Sequence, residues 1–291
     1  MHLSRKFLLG AALLASALFA HAQVLSDFSS TSNWGSPQTL IGNTGTIQIS
    51  GNVANYYTPA TPTDTQFSYL QYTGTTLSYN TSWSIRVDAN YAAPSSIFTA
   101  GSQQFINLGL MVTPGSATVA LSGGEPAFDG FVVSSNLFST AANTYNRGFQ
   151  TSILSNGAAE DGLEAGFSTV NALTATFTAV MLSYDAGSHL LTATFDGNTS
   201  NGYNSFAMPS QSVDVATKWG MGGSDTFSLY LMGNSGWDDG GIVASPSIGT
   251  SQAMFDNLSA VPEPSTYAAM FGIAALGLAA WRRRQHRASV A

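Results

Sequence analysis

Ser82-Trp83-Ser84-Ile85-Arg86-Val87-Asp88-Ala89 decides the fold class. Trp83, Ile85, Val87 and Ala89 alternate with Ser82, Ser84, Arg86 and Asp88, so one face is apolar and the other polar, the period of a half-buried β-strand. The same period recurs at Leu173, Ala175, Phe177, Ala179 and Met181 against Thr174, Thr176 and Thr178. It returns at Leu191, Ala193 and Phe195, and at Phe227, Leu229 and Leu231. Residues 105–112 and 131–133 are near-continuous apolar runs, as expected of strands covered on both faces. Turn signals separate these runs: Gly123-Gly124, Asp129-Gly130, Asn156-Gly157, Asp161-Gly162, Asp196-Gly197 and Asp239-Gly240-Gly241. No segment between residues 23 and 260 carries a convincing amphipathic helical period. The predicted architecture is therefore all-β, an antiparallel two-sheet sandwich of jelly-roll type over residues 23–260.

Both ends of the chain depart from this pattern. Arg5 and Lys6 precede an apolar stretch over residues 7–19, and Ala20-His21-Ala22 supplies small residues at both specificity positions of a cleavage site. Residues 1–22 are read as a signal peptide removed by signal peptidase, with the mature chain starting at Gln23. The C-terminal segment, 261–291, has three parts. Val261-Pro262-Glu263-Pro264-Ser265-Thr266 is a stiff extended strip, because each proline locks its own φ and biases the residue before it away from helix. Residues 267–281 are uncharged and apolar. As a helix they would cover about 22 Å, short of the roughly 30 Å hydrocarbon core, with the flanking side chains extending the reach. Residues 282–291 contain Arg282, Arg283, Arg284 and Arg287, a basic stop that the positive-inside rule places in the cytoplasm. The apolar run is thus a predicted transmembrane helix, with the sandwich on the far side of the inner membrane.

This tail resembles the PEP-CTERM sorting signal of Gram-negative bacteria. The resemblance rests on Val261-Pro262-Glu263-Pro264-Ser265, the spacing to the apolar run, and the arginine cluster. It implies processing by an exosortase-type transpeptidase at Pro262, Glu263 and Pro264. It also implies a cell-surface or extracellular-matrix destination within an envelope rich in exopolysaccharide.

Charge and cysteine usage agree with export. Between residues 23 and 260 only Arg86, Arg147 and Lys218 are basic, against fifteen acidic residues, a net charge of −12 compared with −7 for the whole chain. Such a surface repels nucleic acid and disfavours anionic polysaccharide, which leaves neutral sugars as the easier ligands. There is no cysteine, hence no disulfide and no lipoprotein attachment.

Two stretches of the sandwich resemble the concanavalin A-like lectin/glucanase family, in its legume-type lectin form. One is the hairpin over residues 180–195, with Tyr184-Asp185 before the turn and Leu190-Leu191 after it. The other is Pro126-Ala127-Phe128-Asp129-Gly130-Phe131. Residues 227–236 and Phe255-Asp256-Asn257-Leu258 would then be the closing strands. The resemblance implies that Asp129 accepts hydrogen bonds from sugar hydroxyls, whereas the Asp-Gly pair by itself equally signals a turn. The family's metal loop is not visible between residues 134 and 178, and His189 reads as a solvated turn residue.

Glu160-Asp161-Gly162-Leu163-Glu164 reads as a charged surface turn rather than a pair of facing carboxylates. Trp237-Asp238-Asp239-Gly240-Gly241 combines an aromatic platform with two carboxylates. It is a plain surface loop or a weak candidate for sugar binding at Trp237 and for calcium at Asp238 and Asp239. Nucleophile elbows, zinc-protease motifs and phosphate loops are absent from the sequence. The expectation is a non-enzymatic surface or matrix protein needing no cofactor, with a lectin-like module as the alternative and a carboxylate-based polysaccharide hydrolase or lyase as a more distant one.

Overall fold

The computed structural model describes residues 23–39, 45–58, 65–115, 121–122, 125–126, 128–155, 158–196, 210–237, 245–260 and 277. The chain forms two units, Val24–Ser259 and the terminal segments Met1–Gln23 with Ala260–Ala291. The signal peptide, the Pro262-Glu263-Pro264 motif, the apolar run apart from Gly277 and the basic tail lie outside the described residues. Among the described residues no helix is long and apolar enough to cross a membrane.

The larger unit is a two-sheet antiparallel sandwich. Sheet A runs β15 (Gln211–Asp214), β14 (Leu190–Asp196), β13 (Thr176–Asp185), β6 (Trp83–Tyr91), β17 (Ala253–Ala260), β4 (Val53–Tyr57) and β3 (Thr46–Ser50), with β1 (Gln23–Ser26) also on β17. Sheet B runs β12 (Ala158–Thr169), β11 (Tyr145–Ser155), β10 (Gly130–Ser139), β7 (Gln104–Pro114), β16 (Thr226–Trp237), β5 (Gln66–Ser78) and β2 (Gln38–Thr39). A ribbon of β8 (Leu121–Ser122) and β9 (Glu125–Pro126) stands apart. The two described helices are single turns, α1 (Pro94–Ile97) and α2 (Val215–Trp219).

Aromatic contacts identify the faces that meet. Phe149 of β11 stacks on Phe195 of β14 with ring centroids 4.1 Å apart, and Trp83 of β6 meets Phe227 of β16 edge-on at 5.3 Å. The row Phe149, Ser135, Leu108 and Gly233 in sheet B therefore points at sheet A. Tyr56 of β4 lies against Gly233, where a Cβ would come 2.4 Å from the ring. Its hydroxyl donates to the Gln66 carbonyl and meets the Ser235 hydroxyl. Ile85, Val87, Leu182, Tyr184, Ile106, Leu108, Leu110 and Phe131 complete a core with at most 1 % exposure at each.

Three expectations change. In β6 the polar face is covered as well: Ser84 and Asp88 are buried, Ser84 donating to Ser183 and Asp88 bonded to Arg86 and to Asn257. In β13 the strand starts at Thr176, and Thr178, Val180, Leu182 and Tyr184 face the core, paired with Ala89, Val87, Ile85 and Trp83. Leu173 and Phe177 are exposed, at 81 % and 44 %. A one-residue choice flips the whole face of a strand, and here Val180, Leu182 and Tyr184 take the core face, leaving Phe177 on the opposite one. Asp161-Gly162 lies inside β12 and is not a turn.

Candidate functional site

The face of sheet B turned away from sheet A carries two different surfaces. At one end Tyr69, Met111, Phe128, Leu154, Tyr230 and Met232 form a second apolar cluster, with Phe67 and Val132 packed against it. Phe128 meets the Tyr69 ring edge-on at 6.0 Å. Asp129 follows Phe128 directly and is half-buried at the start of β10. The space beside Gly130 is tight, because a Cβ would come 3.1 Å from the Val112 carbonyl of β7. The Asp129-Gly130 step thus joins a buried aromatic anchor to a strand.

The other sequence candidates are not brought to Asp129. Trp237 ends β16 opposite Gln104, whereas Phe131, two residues beyond Asp129, sits opposite Val112. Eight residues of β7 separate those positions, about 26 Å at the usual strand rise. Asp238 and Asp239 lie outside the described residues. Among the described residues no three His, Asp or Glu side chains are grouped closely enough to hold a metal ion.

Glu160, Asp161 and Glu164 belong to the edge strand β12, with Asp161 opposite Ile153 and Glu164 opposite Gln150. The register shifts between Ile153 and Leu154, leaving Glu160 as the extra residue of a bulge. The expected surface turn is therefore a bulged strand, stabilised by pairing with β11.

His189 also departs from expectation. It adopts φ 59° in the β13–β14 turn, stacks on Tyr79 with centroids 4.8 Å apart, and brings Nδ1 to 3.4 Å from the Tyr184 hydroxyl. Its carbonyl accepts from Val215 N–H. It is an aromatic clasp rather than a solvated imidazole. Asp185 orders the same turn, and hydrogen bonds from the Ser188 hydroxyl and the Gly187 N–H hold its carboxyl below the usual range.

Three functional candidates were not singled out by sequence motifs. Asn136 of β10, Asn107 of β7 and Asn234 of β16 stand side by side in one register row on the outward face of sheet B. The Oδ1 atoms of all three are buried without a hydrogen-bond partner. Asn107 is 3 % exposed, and its Nδ2 donates to Gln150 Oε1 at 3.1 Å. An unsatisfied buried acceptor costs about 1–3 kcal/mol. The signal in the sequence is a polar residue at matching parity in three apolar strands, which becomes meaningful only once their register is known.

Among curated protein sequences, none matches the chain. Among solved structures, the sandwich is similar to the acidic lectin of winged bean complexed with methyl-α-D-galactose, with 14% identity over 83% of this chain and 97% of that one and a TM-score of 0.44. It is also similar to lectin II of Ulex europaeus, at 11% identity over 79% and 94% with a TM-score of 0.42. The seed lectin of Lotus tetragonolobus is similar at 9% identity, over 84% and 100%, with a TM-score of 0.44. The C-terminal residues 260–284 match the family model of the PEP-CTERM protein-sorting motif.

Proposed function

We propose that this chain is an exported, non-catalytic protein of the cell surface or extracellular matrix, delivered by an exosortase-type system and presenting its sandwich to exopolysaccharide. The observation that carries the reading is the PEP-CTERM match at residues 260–284, which begins at the last residue of β17, a strand flanked by β6 and β4 inside sheet A. The sorting segment therefore follows the folded domain without a spacer. In this reading the apolar run 267–281 holds the chain in the inner membrane, Arg282, Arg283, Arg284 and Arg287 stay cytoplasmic, and processing occurs at Pro262-Glu263-Pro264. The net charge of −12 between residues 23 and 260 favours solubility and uncharged neighbours.

The test is fractionation of the full chain from strains with and without the exosortase. Release or transfer to the envelope only in the competent strain is expected. Identical retention in the inner membrane of both strains would end the proposal.

A further inference from the structure

We propose that residues 23–39 are a strap that ties the two processing events together: removal of the signal peptide frees β1 to close on β17, and that closure braces the strand from which the sorting segment leaves. The inference rests on the reading of both chain ends as export signals, and concerns where the chain can be cut rather than where it is delivered.

The strap belongs to both sheets. β1 is added to β17 in sheet A, whereas Trp34 bridges to Tyr72 and β2 pairs with β5 in sheet B. Two backbone bonds fix the approach to β5, from Gly35 N–H to the Gln71 carbonyl and from Thr73 N–H to the Asn33 carbonyl. The chain turns between the sheets at Phe28, which adopts φ 57°, a left-handed conformation that a bulky side chain rarely takes. Its surroundings hold it there. Phe28 N–H donates to the Ser26 hydroxyl, and its ring, 1 % exposed, stacks on Trp34 with centroids 5.4 Å apart. Trp34 donates from Nε1 to the same hydroxyl and meets the Tyr72 ring edge-on at 5.1 Å. The Tyr72 hydroxyl donates to the Leu25 carbonyl of β1 at 3.0 Å. Residues docked on sheet B thus set the bend that aims β1 at β17.

The two processing boundaries coincide with the ends of these paired strands. β1 starts at Gln23, the residue after the predicted signal-peptide cut, and β17 ends at Ala260, where the sorting match begins. Neither boundary has a spacer. Only Ala20-His21-Ala22 separates the apolar stretch from β1. Three extended residues reach about 10 Å, and the headgroup layer takes roughly 5–7 Å of it. With the signal peptide in place, β1 is therefore held at the bilayer and β17 lacks one of its partners. Pairing the first strand with the last is also the longest-range step of the fold, and loop-closure entropy makes such steps late. A strand short of one ladder opens more readily, and local opening is what a protease requires. Closure of the strap shields the chain up to Ala260 and leaves Pro262-Glu263-Pro264 as the place to cut.

The experiment is limited proteolysis of the full chain in spheroplasts of a strain lacking the exosortase, with the new ends mapped by mass spectrometry. Wild type is compared with a chain carrying Ala20→Leu and Ala22→Leu, which keeps its signal peptide, and with one carrying Val24→Pro and Leu25→Pro, which removes two consecutive donors from β1. Wild type should be cut only beyond Ala260, and both altered chains at least tenfold faster within residues 253–260. Ser26→Ala takes away only the hydroxyl shared by Phe28 and Trp34. It should give the same internal cuts at a smaller excess while its urea transition stays cooperative, which separates a loosened strap from an unfolded domain. A chain that keeps its signal peptide and resists cutting within 253–260 as wild type does would show that cleavage does not release the strap. Equal resistance of the double-proline chain would show that β17 needs no brace. Either result overturns the proposal, and so does digestion spread through both sheets, because the strap would then be an ordinary part of the core. The exosortase is absent from this assay, so these failures leave the delivery reading standing, and identical fractionation of wild type in both strains defeats that reading without changing the cuts.

Discussion

Tyr91 of β6 donates its hydroxyl to the Ser135 carbonyl of β10, 2.7 Å away, and accepts from Leu108 N–H of β7 at 3.1 Å. One fully buried side chain thus joins sheet A to two strands of sheet B. Tyr91→Phe keeps the ring but leaves a buried N–H and a buried carbonyl short of partners, at about 1–3 kcal/mol for each group left unsatisfied. The urea midpoint should fall at an unchanged slope, and an unaltered midpoint would show that the bridge contributes nothing.

Gly233→Ala tests the close approach of Tyr56 to the β16 backbone across the core. The added methyl would sit 2.4 Å from the Tyr56 ring, and that ring is held by its hydroxyl bonds to Gln66 and Ser235. Overpacking of this kind costs about 1–3 kcal/mol or more. In the Tyr56→Ala background the same substitution should be nearly neutral, so a double-mutant cycle in urea is expected to show strong coupling. Additive effects would mean that the strand backbone yields instead of the ring.

These two contacts mark where sequence stops being legible. Apolar runs at 105–112 and 131–133 announced strands covered on both faces, and β7 and β10 are such strands. The sequence could not say that Gly233 faces Tyr56, or that Asn107, Asn136 and Asn234 share a row, because both facts depend on register between strands distant along the chain. Residues 173–181 misled for a local reason: Phe177 and Met181 mark one face as apolar, but Val180, Leu182 and Tyr184 offer the other face more apolar surface and take the core. Glu160-Asp161-Gly162 misled because a glycine in a bulged edge strand carries the same signature as a glycine in a turn.

Buried phenols make alkali destabilising. Burial pushes Tyr56, Tyr69 and Tyr91 far above the ordinary value of 10.0, and Tyr184 up to about 12. Above about pH 10 the unfolded chain releases these protons while the folded chain keeps them, so stability is full below that pH and falls as it rises. The urea midpoint should drop steeply through this range, and Tyr184→Phe should make the drop shallower. A flat profile above pH 10 would contradict the burial of these hydroxyls.

At the acid end Asp214 caps α2, accepting from Thr217 and Ala216 N–H, and these bonds hold its carboxyl below the ordinary 3.8. A depressed carboxyl contributes stability that is complete above the unfolded value and is lost as pH falls through the folded one. Asp214→Asn retains an acceptor for the cap while removing the titration. Its thermal midpoint should match wild type more closely below pH 3.8 than at neutrality, and a constant difference across that range would rule out the cap as the titrating element.

The boundary between domain and sorting segment can be cut at two places with opposite outcomes. β17 ends at Ala260 and contributes buried Phe255 and Leu258 from within sheet A. A chain truncated after Ala260 keeps every strand residue, so it should give the circular dichroism spectrum and cooperative melting of the full chain while failing to reach its envelope destination. A chain truncated after Gln252 loses β17 whole, separating β6 from β4 and removing two large apolar side chains whose burial is worth about 1.5–3 kcal/mol apiece. That chain should fail to fold and be degraded after export, as read by limited proteolysis of periplasmic extracts. If the shorter cut folds like the longer one, β17 is not integral to the sandwich; if the longer cut sorts like wild type, the segment after Ala260 is not the address.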